Sequence, residues 1–263
     1  MEIKDKVIVI TGHTSGIGKA LYERLAAYNT VIGLSRSAID NGKTQFKCDV
    51  SDSKRVKEIF SEINKLYGRV DILFNNAGYG ISGATEDISS EEAEKVVKVN
   101  FLGQLYAAQA ALPLMNAGAR IINISSVSGI SPMPFRALYN STKAAVNMLS
   151  SSLRMELKPL GIGVTALCLG DTETDFSAHR IISSDSDRYS KRTEEIDSFL
   201  IRRGNKGKMK LDKAVNCIII IASKDKIKER YIIGIKYRIF SHVYKFFPRF
   251  ISYLTLKVFS KKR

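Results

Sequence analysis

Cysteine and histidine are scarce in this sequence, and their placement excludes two classes of protein. The three cysteines, Cys48, Cys168 and Cys217, sit inside apolar runs at no metal-ligand spacing. An odd, sparse set of this kind is no disulfide scaffold and points to a reducing compartment with packed thiols. The three histidines, His13, His179 and His242, are isolated, so no metal site is expected. Long apolar runs are also missing. Val215 to Ala222 is apolar but far too short to cross a bilayer, and it reads as a buried helix capped by Asp212. A strand begins within the first six or seven residues and leaves no room for a signal peptide, so a cytoplasmic location is expected. Acidic residues are outnumbered 26 to 41, which gives a net charge of +15. That excess favours an anionic partner. Charge alone would admit nucleic acid, but no nucleic-acid motif is present and none is expected to bind.

What is present begins with a strand running into glycines. Val7-Ile8-Val9-Ile10 is a short β-branched apolar run, the pattern of a parallel strand buried on both faces. It leads into Thr11-Gly12-His13-Thr14-Ser15-Gly16-Ile17-Gly18. Apolar residues then recur at helical spacing at Ile17, Leu21, Leu25 and Tyr28. A glycine turn between strand and helix lets backbone approach a pyrophosphate, and the helix start offers it unpaired N–H groups. Gly12, Ser15, Gly16, Ile17 and Gly18 are therefore candidate cofactor residues. The next strand, Val31 to Leu34, ends at Ser35-Arg36. An NAD site usually places a carboxylate there for the ribose 2′-hydroxyl. A hydroxyl and a guanidinium suit a 2′-phosphate instead, because Arg36 can pair it bidentately. The reading is NADP(H), with a solvated surface arginine as the plain alternative.

Ile121 to Ile124 is another buried strand, with Ser125 and Ser126 at its end. The spacing then predicts a helix from Ala137 to Leu157 that stops before Pro159 and Gly161. Tyr139 and Lys143 lie on one face of it at i, i+4. A free tyrosine titrates near ~10. A lysine ammonium at ~5 Å, at an effective dielectric of ~20, would lower that by about two units. Tyr139 then becomes a general acid, or a base in the reverse direction.

The order Thr-Gly-x-x-x-Gly-x-Gly, Asn-Asn-Ala-Gly at 75–78, Ser126 and Tyr139-x-x-x-Lys143 resembles the short-chain dehydrogenases/reductases from about Asp5 to Gly234. The resemblance implies a Rossmann-type doubly wound parallel α/β sheet in a single domain. Alternating strands and helices with right-handed crossovers give the same fold. By resemblance, Asp49 and Val50 at the end of the third strand hold the adenine. Asn76, Ala77 and Gly78 close the cofactor cleft. Ser126 holds the substrate oxygen, Lys143 also reaches the nicotinamide ribose, and Asn100 holds a water that passes protons to the lysine. Thr174, with Thr172 before it, holds the nicotinamide carboxamide. That turn departs from the family: Leu169-Gly170-Asp171-Thr172 stands where the family usually has Pro-Gly and an apolar residue. The implied activity is NADPH-dependent reduction of a carbonyl, reversible, on a small and lipophilic substrate such as a keto lipid. A homo-oligomer, dimer or tetramer, is implied as well. A soluble sugar or acyl carbonyl reductase and a non-catalytic NADP(H)-binding regulator are the rival readings.

Two segments flank this core. Residues 176–210 read as a polar substrate loop, with Ser183-Ser184-Asp185-Ser186-Asp187 at its centre. Arg202, Arg203, Lys206, Lys208 and Lys210 follow, as a solvated face or a site for an anionic group. Residues 1–234 form the cofactor-binding and catalytic unit. Residues 235–263 form a basic tail with no acid after Glu229. Ile239, Phe240, Val243, Tyr244, Phe247, Ile251, Leu254 and Val258 recur in it at spacings of three and four. Such a helix, or two helices broken at Pro248, either lies in an anionic membrane interface as a peripheral contact or packs on protein. Removing the tail after Gly234 is expected to spare cofactor binding, since every cofactor motif lies upstream.

Overall fold

The structure is a computed structural model that describes residues 3–177, 180–183 and 207–260. Seven strands form one parallel sheet: β1 (Val7–Thr11), β2 (Thr30–Ser35), β3 (Gln45–Lys47), β4 (Ile72–Asn75), β6 (Arg120–Ser126), β7 (Gly163–Leu169) and β9 (Arg230–Ile233). Their order is β3-β2-β1-β4-β6-β7-β9. The chain first builds outward from β1 to β3, then returns to the other side of β1 with β4. That reversal between β1 and β4 opens a crevice at the carboxyl ends of the strands, where ligands of such sheets bind.

The two sheet faces are both apolar, as successive residues show. Val7 and Val9 enter one core while Ile8 and Ile10 enter the other. The first core is covered by α2 (Ser53–Tyr67), α4 (Gly103–Ala111) and α5 (Ala137–Leu157). The second is covered by α1 (Gly16–Leu25) and α6 (Leu211–Ala222). Burying both faces is why the strands read as continuous apolar runs rather than alternating ones. A polar ladder crosses the middle. Asn75 donates to Asn123 Oδ1 at 2.9 Å, and Asn123 donates to Ser150 Oγ at 2.9 Å. It ties β4 and β6 to α5 through buried polar side chains.

The long helix α5 has the bounds expected from sequence, and the fold class is the expected one. Three details differ. Tyr28 lies past the end of α1 and is exposed, because the helix closes at Leu25. Asp212 does not cap α6. Lys210 holds the cap position, and Asp212 sits in the first turn, 2.6 Å from Arg24. Two short strands, β5 (Ile81–Gly83) and β8 (Ile181–Ser183), pair in parallel as a separate sheet. Three residues carry no readable period, so the start of the polar loop gave no strand signal. Ser184 to Asp187, His179, Arg202, Arg203, Lys206 and everything beyond 260 lie outside the described residues. The remaining elements are α3 (Ser90–Val97), closed by a Ser89/Glu92 capping box, and two tail helices, α7 (Ile235–Phe246) and α8 (Pro248–Ser260). The tail thus breaks at Pro248. Among the described residues, no helix is long and apolar enough to cross a membrane.

Candidate active site

The glycine turn follows β1 and is shaped for close approach. Gly12 has φ +70°, and a Cβ there would lie 3.0 Å from the Ala77 backbone. A Cβ on Gly18 would lie 2.1 Å from the Gly12 carbonyl. No Cβ fits at Gly18, and at Gly12 the left-handed backbone and the tight contact favour glycine. Ser15 is the N-cap of α1 but makes no side-chain cap bond, and the first turn holds no acid. Its N–H groups are therefore left to a bound anion. The turn is locked to its neighbour. Thr11 Oγ1 accepts from the Asn76 and Ala77 amides at 3.0 Å each, and Asn76 donates back to the Thr11 and Gly12 carbonyls.

At the end of β2, Thr14 Oγ1 lies 2.8 Å from both Ser35 Oγ and Ser37 Oγ. Arg36 is exposed beside this hydroxyl cluster. Thr14 and Ser37 were not singled out from sequence, although Ser37 directly follows Arg36. Only the turn brings residue 14 to them. Asp49 lines the same cleft, with Oδ1 accepting from the Ser51 amide and hydroxyl.

At the other end stand the residues expected to move protons. The cleft has a volume of about 950 Å³, and every candidate residue except Gly18 and Asn100 lines it. Tyr139 and Lys143 are buried on α5, with Lys143 Nζ 5.9 Å from the Tyr139 ring centroid. Lys143 Nζ donates to the Ile124 carbonyl at 2.9 Å. Ser126 hydrogen-bonds Tyr139 and accepts from the Ser128 amide at 3.1 Å. Asn100 sits in a π-helical turn, Lys98–Leu102, a distortion frequent at functional sites. Its carboxamide accepts from Tyr79 N at 2.9 Å and donates to Tyr79 O at 2.8 Å. A Cβ on Gly78 would lie 3.0 Å from Asn100 Oδ1 and 3.6 Å from Lys143 Nζ, so these groups converge on one point.

The electrostatics correct one expectation. Burial pushes the Tyr139 phenol up from its ordinary value, and the hydrogen bond from Ser126 and the charges of Arg136 and Arg180 only partly oppose it. Burial also lowers Lys143, to about 8. The lowering expected from the lysine charge is not seen, because desolvation of the phenolate sets the direction. Tyr139 is held as a protonated acid beside a lysine that loses its proton readily. Two of the thiols are held protonated by the same cause: burial raises Cys48 to about 12 and Cys168 to about 11.

The turn after β7, residues 170–174, is braced by the tail. Tyr237 of α7 fills the space where Gly170 would carry a Cβ, 1.9 Å from its ring carbon. The Asp171 amide donates to the Tyr237 hydroxyl at 3.0 Å. Lys236 donates to the Gly207 carbonyl, and Thr172 bridges Met209 across the closing end of the polar loop. Thr172 Oγ1 bonds the Gly170 carbonyl, and the Thr174 side chain packs 3.6 Å from the Gly16 Cβ position. The tail expected to lie apart from the cofactor motifs thus makes direct contact with residues 170–171. Its first helix supports residues 170–171, and no upstream motif reveals that contact.

A doubly wound sheet with a glycine cradle and a Ser-Tyr-Lys group, its tyrosine and lysine buried, defines a dinucleotide-dependent oxidoreductase. A sequence profile described as short chain dehydrogenase matches residues 6–183. The chain belongs to that family, whose fold binds a nicotinamide cofactor. It is similar to a 3-ketodihydrosphingosine reductase from Bacteroides thetaiotaomicron, 36% identical over 203 residues that cover 75% of this chain and 74% of the relative. A probable short-chain type dehydrogenase/reductase, VdlC, from Helicobacter pylori is 31% identical over 268 residues, covering 97% and 98%. Among solved structures, a short-chain dehydrogenase from Streptomyces avermitilis superposes with TM-score 0.82 at 27% identity and covers 99% of each chain. The chain is thus an enzyme of the class acting on CH–OH and C=O groups.

Proposed function

We propose that this enzyme is an NADPH-dependent reductase of a lipophilic carbonyl, with residues 1–234 as its catalytic unit and a homo-oligomer as its assembly. The observation that carries the reading is the Ser126–Tyr139–Lys143 group at the end of a cleft whose other end holds a hydroxyl cluster and Arg36. Gly12, Ser15, Gly16, Ile17 and Gly18 seat the pyrophosphate. Ser35, Arg36 and the neighbouring Thr14 and Ser37 hydroxyls take the 2′-phosphate, where no carboxylate opposes it. Asp49 and Val50 flank the adenine, and Asn76, Ala77 and Gly78 close the cleft.

When bound, the cofactor supplies the hydride. Tyr139 donates its phenolic proton to the carbonyl oxygen, which converts C=O to CH–OH. Its raised pKa keeps it protonated at neutral pH, as a donor requires. Ser126 holds that oxygen and stabilises the charge that develops on it. Lys143, titrating near neutrality, returns a proton toward Tyr139, with Asn100 shaping the path. Thr172 and Thr174 hold the carboxamide end. The lipophilic substrate is supported by the apolar wall beside Tyr139, made by Val127, Phe176 and Ile181, and by the lipid substrate in the name of the Bacteroides relative. The enzyme then works from the cytoplasmic side, as a peripheral protein at the membrane that holds such substrates.

The test is NADPH absorbance with a panel of carbonyls that includes long-chain 3-keto lipids, sugars and short ketones. Lipid ketones should be turned over fastest, and NADPH should outperform NADH. A preference for sugars would overturn the substrate class. Cofactor binding without turnover of any carbonyl or alcohol would overturn the reductase reading.

A further inference from the structure

The tail helices have two different faces. On the inner face Tyr237 is seated on the cofactor turn, and Ser241 and Ile251 are buried. On the outer face Ile235, Ile239 and Phe246 form a stripe along α7 at steps of four and seven, each more than half exposed. Phe247, Phe250 and Tyr253 continue it across the Pro248 break, again more than half exposed. Cations border the stripe. Lys245 lies 5.8 Å from the Phe246 ring centre and Lys257 lies 5.9 Å from that of Tyr253. Arg238 and Arg249 are exposed beside them. No acidic residue occurs from 230 to 263.

We propose that this outer face docks on an anionic lipid surface while the inner face stays on the cofactor turn. Exposed rings interleaved with cations are the arrangement that enters a headgroup layer, where the rings leave water and the ammonium groups remain in it. A second copy of the chain fits less well. Symmetric pairing through this face would set one all-basic stripe against another, with no carboxylate on either. The helices lie on the surface rather than cross it, since neither is long and apolar enough to span. Docking also fixes where the site sits. Only the thickness of α7, roughly 10 Å, separates the lipid surface from residues 170–171. This deepens the reading of the enzyme as one acting on lipophilic carbonyls, and it gives that substrate a short path.

The test uses the full chain, because Tyr237 of the tail contacts residues 170–171. The protein is sedimented with vesicles of mixed phosphatidylglycerol and phosphatidylcholine, and with phosphatidylcholine alone. Binding should be at least ten-fold stronger to the mixed vesicles and should fall, without vanishing, as salt rises. The combined Lys245→Gln, Arg249→Gln and Lys257→Gln variant should bind on the order of 100-fold more weakly, at roughly five-fold per cation. Phe246→Ser with Phe250→Ser should remove the salt-resistant part. All five positions are exposed and outside the cofactor site, so NADPH binding should be unchanged in both variants. Equal binding to both vesicle types, no binding, or a triple variant that binds like the parent would overturn the proposal. So would an oligomer that dissociates on the phenylalanine changes, which would assign the face to a second copy. Docking is read by sedimentation alone, so a chain that docks but reduces no carbonyl upholds this inference and overturns only the reductase reading.

Discussion

Lys143→Met should make the protein inactive and more stable. Burial lowers Lys143 from 10.5 to about 8. At about 1.4 kcal/mol per pH unit, the folded chain carries the protonated amine at a cost of roughly 3 kcal/mol below pH 8. Methionine has a similar length and no charge to desolvate. It gives up the 2.9 Å bond to the Ile124 carbonyl, which costs about 1 kcal/mol. The net gain at pH 7 is about 2 kcal/mol, or roughly 4–8 °C in Tm for a domain of this size. The pH dependence separates this cause from ordinary repacking. Between about pH 8 and 10.5 the unfolded chain holds a proton on Lys143 that the folded chain does not. Stability of the parent therefore rises with pH in that window relative to the variant. By pH 9.5 about half of the desolvation cost is gone, leaving roughly 1.5 kcal/mol, and the two melting points should nearly meet. Differential scanning calorimetry of both proteins across pH 7 to 9.5 measures this. A variant that melts below the parent at pH 7, or a difference constant with pH, would refute the reasoning.

Tyr139→Phe should leave the melting temperature and NADPH affinity intact while turnover falls by about 10²–10⁴-fold, the usual contribution of a positioned acid; a rate near that of the parent excludes Tyr139 as the donor. Arg36→Asp should raise the KM for NADPH by roughly 10- to 100-fold, the worth of a charge-assisted contact, and move preference toward NADH; an unchanged ratio of the two cofactors would count against Arg36. Tyr237→Phe deletes only the hydroxyl that accepts from Asp171 and should raise the cofactor KM about five-fold, in line with ~1 kcal/mol for one hydrogen bond, with kcat nearly constant. Tyr237→Ala, and removal of everything after Gly234, should raise it further. A truncated chain that binds NADPH as the parent does would show that the tail does not support the turn.

The sequence by itself determined the sheet, the cradle and the acid–base pair, because each is written in local terms. Apolar runs buried on both faces mark β1, β2, β6 and β7. Gly12 takes a left-handed backbone, Gly18 stands where no Cβ fits, and the i, i+4 step puts Tyr139 and Lys143 on one side of α5. Tertiary structure decided what depends on distance along the chain. Thr14 meets Ser35 and Ser37 only because the glycine turn folds back over the end of β2. Tyr139 is raised rather than lowered because its surroundings exclude water, and no spacing reports how dry a site is. The parallel pair β5–β8 joins segments a hundred residues apart, in strands too short to show a period. Tyr237 lies more than sixty residues beyond Gly170. A missing side chain and a ring that fills its place form a complementary pair, and complementarity of that kind exists only once the two surfaces have met.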